Sequence, residues 1–281
     1  MAESAIRARE PIADADALDA LRHGELRVLG RLPWSSNATF LVDVGPADGP
    51  AGRRDDGTSH RPADGPGDRP ADGPGDRPAD GPADEPILQA VYKPGRGERP
   101  LHDFPPGLYR REAAAYELSA ALGWDLVPPT VVRDGPLGTG SLQLFVLADF
   151  EQHYFTLRER PELHPALRRL CAFDIVANAT DRKGGHVLLE GGDHVWAIDN
   201  GLCFHANFKL RTVVWDFGGD PLPGDVDSGL RRLCGDGPPE PVADLLDAAE
   251  CAALATRAET LLTDGRFPTD PSGRRWPWPV V

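Results

Sequence analysis

Methionine is almost absent from this 281-residue chain, with one residue, and only three of its 30 basic side chains are lysines. Cysteine is also sparse: Cys171, Cys203, Cys234 and Cys251 show neither the close spacing of a zinc site nor the density of a disulfide scaffold. They read as reduced structural thiols. No run of about 18 apolar residues occurs, and no charged-then-apolar leader opens the chain, so membrane insertion is not expected and the cytoplasm is the default location. Positive charge is short as well. A formal net charge of -14 argues against nucleic acid as a partner, because such affinity depends on clustered Lys and Arg.

What the chain has in plenty is proline and glycine, 29 and 31 residues, and a hydrophobic content of 40%, enough for a real core. Much of the Pro and Gly lies between residues 46 and 86, where an octapeptide repeats: Arg61-Pro-Ala-Asp-Gly-Pro-Gly-Asp68, then 69–76, then a variant at 77–84. This tract holds ten acidic and five basic side chains, so it accounts for -5 of the net charge and leaves -9 elsewhere. It has too few large apolar residues to offset the entropy of ordering, and it lacks the apolar stripe of a solenoid. A disordered insertion in a hairpin loop is expected.

Short apolar runs flank it. Leu26–Leu32, Thr39–Val44 and Ile87–Lys93 read as strands, the last with Leu88, Ala90 and Tyr92 on one face and ended by Pro94. Leu108, Ala115, Leu118 and Leu122 share a helical face, with Gly123 as a stop. Thr130–Val132 and Ser141–Leu147 read as two further strands around a Gly-Pro turn. Downstream, 165–177 reads as a helix, Val187–Leu189 and His194–Ile198 as a hairpin, and segments near 225–234 and 240–262 as helices. The expected class is α+β: an antiparallel β lobe with one helix over residues 1–148, and a mainly helical lobe over 149–281.

Charged residues sit at the joints of this plan. Lys93 ends a strand just before the helix that bears Glu112, Asp181 follows the 165–177 helix, and Asp199 ends a hairpin strand. Taken singly, each has an ordinary use: a solvated strand end, a helix-face ion pair, a turn former, the first residue of an Asp-Asn-Gly turn. Taken together they supply what phosphoryl transfer from ATP needs, namely a held cation for the phosphates, a carboxylate near the attacking hydroxyl and a metal ligand.

The runs Phe173-Asp-Ile-Val-Ala-Asn-Ala-Thr-Asp-Arg182 and Ala197-Ile-Asp-Asn-Gly201 carry a resemblance. With the strand lysine and helix glutamate before them, residues 25–205 resemble the phosphatidylinositol 3-/4-kinase-like group, an actinobacterial branch of it in particular. HipA-type bacterial kinases and secretory-pathway kinases share its plan. The resemblance implies a bilobal protein-kinase-like fold that binds ATP with Mg²⁺ or Mn²⁺. It implies that Lys93 meets phosphate with Glu112 as its partner, that Asp181 and Arg182 form the catalytic loop, and that Asp199 binds metal. Ser35, Ser36 and Asn37 would cover the nucleotide, and Val146 and Ala148, within the 147–150 hinge region and its edge, would contact adenine.

Two departures stand out: Lys183 stands where the group has a histidine, and His186 where it has an asparagine. The group commonly has Asp-Arg-His with an asparagine five residues after the aspartate, whereas here the run is Asp181-Arg-Lys-Gly-Gly-His186. His186 thus fills the second metal-ligand position. Imidazole suits softer ions than Mg²⁺, so His186 favours Mn²⁺, leaves one metal site empty, or marks lost chemistry. The function implied is a kinase-like phosphotransferase with an unidentified protein or small-molecule acceptor. The alternatives are a pseudokinase acting as an interaction module and an AMP-transferring enzyme on the same fold. Lys209 and Arg211, in the segment expected over the substrate side, either meet an anionic acceptor or, the commoner case, are solvated charges on a packed loop, and Asn178 is either a helix cap or a loop stabiliser.

Overall fold

The computed structural model describes residues 12–33, 37–46 and 86–281. Ser35, Ser36 and the interior of the repeat insertion, 47–85, lie outside the described residues. Five strands form one sheet: β1 (Leu26–Arg31), β2 (Phe40–Val44), β3 (Leu88–Pro94), β4 (Thr130–Gly135) and β5 (Gly138–Leu144). Their order is β1-β2-β3-β5-β4, and every neighbouring pair is antiparallel. β2 and β3 therefore pair directly on either side of the insertion, in the hairpin relation expected from their flanking positions.

The alternation read in β3 holds. Leu88, Ala90 and Tyr92 join Val42, Val44 and Leu142 in one buried cluster, and α1 (Asp14–His23) closes that cluster with Ala17, Ala20 and Leu21. This helix was not anticipated, so the sheet carries two α-helices among the described residues rather than one. Its charges follow the helix dipole, with Asp14 and Asp16 in the first turn and Arg22 and His23 in the last. Arg133 on β4 then caps it, donating to the carbonyls of Leu21 (3.1 Å) and Gly24 (2.9 Å).

The second helix, α2 (Leu108–Leu122), has the expected bounds and ends at Gly123, whose φ of 67° is the left-handed conformation of a helix C-cap. It is buried on several sides, because it lies between β4 and β5 and the helices that follow. The run Ala113-Ala-Ala115 allows that close approach. Glu112 is carried on the same helix, so its carboxylate is set by packing on both sides.

Beyond residue 144 the chain is mainly helical: α3 (Tyr154–Leu157), α4 (His164–Ala177), α5 (Gly224–Asp236), α6 (Glu240–Ala243) and α7 (Ala248–Asp264), with the hairpin β6 (Val187–Glu190) and β7 (His194–Ala197) between α4 and α5. The single helical run expected over 240–262 is two helices. Asp247 breaks it by capping α7, accepting from the Glu250 N–H at 2.8 Å while Glu250 reaches back to the Asp247 N–H. A large core of Leu118, Trp124, Leu167, Phe173, Phe204 and Phe217 holds this half together.

β5 also differs from expectation, since it ends at Leu144 and not at 147. The following residues leave the sheet for the hairpin: Val146 packs with Leu188 and Trp196, with Ala148 and Ile198 at the margin. Glu190 secures the crossing by accepting from the Leu147 N–H (3.0 Å) and from Trp196 Nε1 (2.9 Å).

Gly140 is required where β5 meets the end of β3. A Cβ there would lie 2.4 Å from the Lys93 carbonyl oxygen and 2.6 Å from Pro94 Cα, both backbone atoms that cannot swing aside. Gly140→Ala should therefore cost ~1–3 kcal/mol of stability as an overpacked site and push the Lys93 end of β3 outward. Urea unfolding of the variant checks this, and a stability equal to wild type would contradict it.

Candidate active site

Four of the residues singled out in the sequence form a connected cluster. Lys93 Nζ, at the end of β3, donates to Glu112 Oε1 on α2 and to Asp199 Oδ1 (2.9 Å) just past β7. His186 Nε2 lies 3.5 Å from the other Asp199 oxygen, Oδ2. Glu112 is 3% exposed in its side chain, and its second oxygen accepts from the Asn200 N–H at 2.9 Å. One buried carboxylate thus fixes both the ammonium and the backbone that carries Asp199.

Asp199 has a φ of 59°, an uncommon value for a residue other than glycine, and one that Asp tolerates better than most. Its side chain remains 54% exposed although both oxygens have neighbours. Lys93 holds the Asp199 carboxyl far below the usual carboxylate range, with burial opposing and His186 and Arg182 adding to the effect. In Lys93 burial works against the charge, but Asp199 and Glu112 outweigh it and raise the ammonium above its ordinary value. Both groups are charged at neutral pH.

Asp181 lies in the turn after α4. Its Oδ2 is 3.1 Å from Lys183 Nζ. Burial raises its pKa above the ordinary value, Lys183 counteracts, and the negative charge of Asp199 raises it further. Asp181 and Asp199 are thus near enough to repel. His186, at the end of a 3-10 turn over Gly184–His186, is mostly buried, and its pKa is lowered to about 4 by burial and by Arg182, Lys183 and Lys93 against the pull of Asp199.

Arg182 turns away from this opening. Its side chain is 1% exposed and faces Asp174 of α4, which is 0% exposed, with Nε 3.0 Å from Oδ1. It also donates to the Ile198 carbonyl (2.6 Å) and to Asn200 Oδ1 (2.5 Å). Thr212 donates to the same aspartate at 2.8 Å. The guanidinium therefore joins α4, the residues on both sides of Asp199 and the segment at 212. Its backbone does likewise, because the Arg182 N–H donates to Arg211 O and the Val213 N–H to Arg182 O, each at 3.1 Å.

Asn178 resolves to a cap that also braces a loop. It ends α4 with a φ of 56°, donates from Nδ2 to His205 O and Asn207 O (both 2.9 Å), and accepts from the Lys209 N–H (2.9 Å). Lys209 is committed to Asp103, 2.7 Å from its Oδ2, and lies over the Phe104 ring. Asn37 accepts from the Arg99 N–H at 3.0 Å, which ties the β1–β2 turn to the residues after β3. Ser35 and Ser36 lie outside the described residues, while Val146 and Ala148 lie at the crossing described above.

Two contributors have a part at the site that the sequence does not assign them, the second being a segment expected only to pack against the helical lobe. Asp174 was quoted in the motif but given no role, although a carboxylate eight residues before an arginine across a helix end is a readable pair. The second is the chain's final segment. Val280 O accepts from the Gly184 N–H (2.7 Å) between Asp181 and His186, and Arg275 O accepts from the Thr212 N–H (3.1 Å). Backbone contacts of this kind leave no signal in side-chain identity.

No family model matches the chain. It is 35% identical over 297 aligned positions to Protein Rv2133c of Mycobacterium tuberculosis (strain ATCC 25618 / H37Rv), an alignment covering 92% of this chain and 94% of that protein. Among solved structures it has partial likeness to a golgi casein kinase, with a TM-score of 0.47, 13% identity, and 89% of this chain and 73% of that one covered. For hydra Fam20 with sugar the TM-score is 0.45 at 13% identity, covering 92% and 91%. For the Helicobacter pylori proinflammatory kinase CtkA it is 0.43 at 9% identity, covering 88% and 94%.

Two outcomes are expected from this geometry. Asp174→Ala leaves a buried guanidinium unpaired and should lower the unfolding free energy by ~3–5 kcal/mol in urea denaturation; a loss under about 1 kcal/mol, the value of an exposed pair, would contradict the burial. The second concerns His186. A histidine neutral in the fold but protonated when unfolded lends stability that is complete above about pH 6.5 and lost as pH falls toward about 4. The ring proton resonances of His186, assigned by comparison with His186→Gln, should titrate near pH 4, and titration at an ordinary pH would refute it.

Proposed function

The chain belongs to the family of Protein Rv2133c, and we propose that it is an ATP- and metal-dependent phosphotransferase with a kinase-like cleft. The observation that carries this reading is the bridging of Glu112 and Asp199 by Lys93, with the charge of Asp199 adding to the raised pKa of Asp181. A cation fixed by a buried carboxylate, beside a half-exposed carboxylate and a second one of raised pKa, suits phosphate binding and hydroxyl activation together. The order Lys93, Glu112, Asp181, Asp199 supports the same reading through its match to the phosphatidylinositol 3-/4-kinase-like pattern.

A divalent cation fits the donor set. Among the described residues no group of three or more His, Cys, Asp or Glu side chains forms a metal cage, but Asp199 offers a half-exposed carboxylate. Such a site suits a hydrated hard cation that shares its remaining positions with nucleotide phosphates. Asp199 would hold it, and the ion would neutralise charge on the phosphates. Lys93 would bind phosphate oxygens, kept in place by Glu112. Asp181 would orient the acceptor hydroxyl and take its proton as the hydroxyl oxygen bonds to the γ-phosphorus and the bond to the β–γ bridging oxygen breaks, releasing ADP. Lys183, paired to Asp181 before substrate arrives, would keep that carboxylate directed at the opening.

Arg182, grouped with Asp181 in the motif, takes a positioning part in this scheme because its guanidinium faces Asp174 and not the opening. Val146 and Ala148 would lie along the adenine, and Asn37 near the phosphates. No described helix is long and apolar enough to cross a membrane.

The test uses γ-labelled ATP with Mg²⁺ or Mn²⁺, read as ADP release and label transfer. Asp181→Asn should lower turnover by ~10²–10⁴-fold with folding unchanged, and Lys93→Met should weaken binding of a fluorescent ATP analogue. Absence of nucleotide binding with any divalent cation would refute the proposal. An AMP adduct in place of a phosphate on the modified acceptor, seen by mass spectrometry, would reassign the transferred group.

A further inference from the structure

His186 occupies the position where a second metal ligand was expected, yet both of its ring nitrogens already have polar neighbours. The backbone N–H of Lys183 donates to Nδ1 in a long hydrogen bond (3.4 Å), and Nε2 lies 3.5 Å from Asp199 Oδ2, within ion-pair distance. An N–H directed at Nδ1 makes that nitrogen the acceptor. The neutral ring then carries its proton on Nε2, pointed at a carboxylate oxygen. Metal ligation needs the opposite: a lone pair on Nε2 and a proton on Nδ1, which would meet the Lys183 N–H head on.

The backbone around the ring gives little freedom to reverse this. The Gly184 N–H is bound to Val280 O (2.7 Å), the His186 N–H to Lys183 O (3.2 Å), and His186 O accepts from the Ile198 N–H (3.0 Å) one residue before Asp199. Ring and carboxylate are therefore fixed on adjoining, mutually bonded backbone. Asp199 Oδ1 already receives Lys93, so a donor at Oδ2 sets the rotation of the whole carboxylate. We propose, resting on the phosphotransferase reading, that His186 is a hydrogen-bond donor that orients Asp199 and not a metal ligand, so that the cleft holds one divalent cation.

The distinction has a chemical consequence. An outer histidine of this kind acts through the carboxylate it aligns, and loss of such partners characteristically costs metal affinity without removing a ligand. The histidine-for-asparagine difference would then be a change from a two-cation site to a one-cation site.

Electron paramagnetic resonance of the full chain with Mn²⁺ and a non-hydrolysable ATP analogue tests this. One analogue-dependent Mn²⁺ per chain is expected, without the spin-echo modulation of a directly bonded imidazole nitrogen. His186→Phe should weaken Mn²⁺ binding by roughly 10-fold or more, whereas His186→Gln, which keeps an N–H donor, should stay near wild type. Two Mn²⁺ per chain, or a bonded-nitrogen signal that His186→Gln abolishes, would overturn the single-cation inference and leave the phosphotransferase reading standing. Absence of Mn²⁺ binding with or without the analogue would overturn both.

Discussion

The ammonium of Lys93 is the constraint on which the rest depends. It stands at the end of a central strand and binds one carboxylate from the helix behind the sheet and one from the turn after the β6–β7 hairpin. Three elements far apart in sequence are thereby held to one point. The arrangement tolerates little variation in what surrounds it. Gly140 must lack a side chain so that β5 can lie against the Lys93 carbonyl, and the alanine run beside Glu112 must be small so that α2 can lie between the sheet and the helices. Lysine suits this position because a compact ammonium can serve two carboxylates at once.

A second cation, this one buried, does the complementary work. Arg182 spends its donors on Asp174, Ile198 O and Asn200, so the loop bearing Asp181 and the turn bearing Asp199 are fixed to each other before any substrate binds. If the cluster is catalytic as proposed, fixing these groups in advance would spare reorganisation when charge develops. The same logic covers Asn178 and the final segment of the chain, which brace the loops at 205–212 and at Gly184 through backbone groups. Rigidity here is supplied by polar contacts within the helical half, whose apolar core ends just beneath them.

Much of this was legible in the sequence, for identifiable reasons. β3 could be read because alternate residues face one core, and α2 because its apolar face and terminal glycine agree. Lys93, Asp181 and Asp199 could be chosen because each sits at an element boundary, and Glu112 because it rides the helix that follows the Lys93 strand. α1 was missed because its apolar face is only Ala17, Ala20 and Leu21 among charged neighbours, and its place depends on Arg133 from a distant strand. The 240–262 run was read as one helix because Asp247 looks like any helix-surface acid until its reciprocal bond with Glu250 is seen. β5 was placed three residues late because Phe145-Val-Leu147 is as apolar as the strand itself, although those residues serve the hairpin. The roles of Val280 and Arg275 were invisible, since a carbonyl oxygen has no residue identity.

The scarcity of lysine allows a direct measurement. Lys93, Lys183 and Lys209 are the three lysines of the chain, and the latter two sit on the loop that bears Asp181 and on the loop braced by Asn178. A reactive acyl phosphate of ATP, which transfers its acyl group to amines lying beside bound phosphates, can be mapped by mass spectrometry. If the cluster is a nucleotide cleft, Lys93 is acylated, Lys183 to a lesser extent and Lys209, held by Asp103, hardly at all, with labelling suppressed by excess ATP. Equal labelling of the three lysines, unaffected by ATP, would contradict the account.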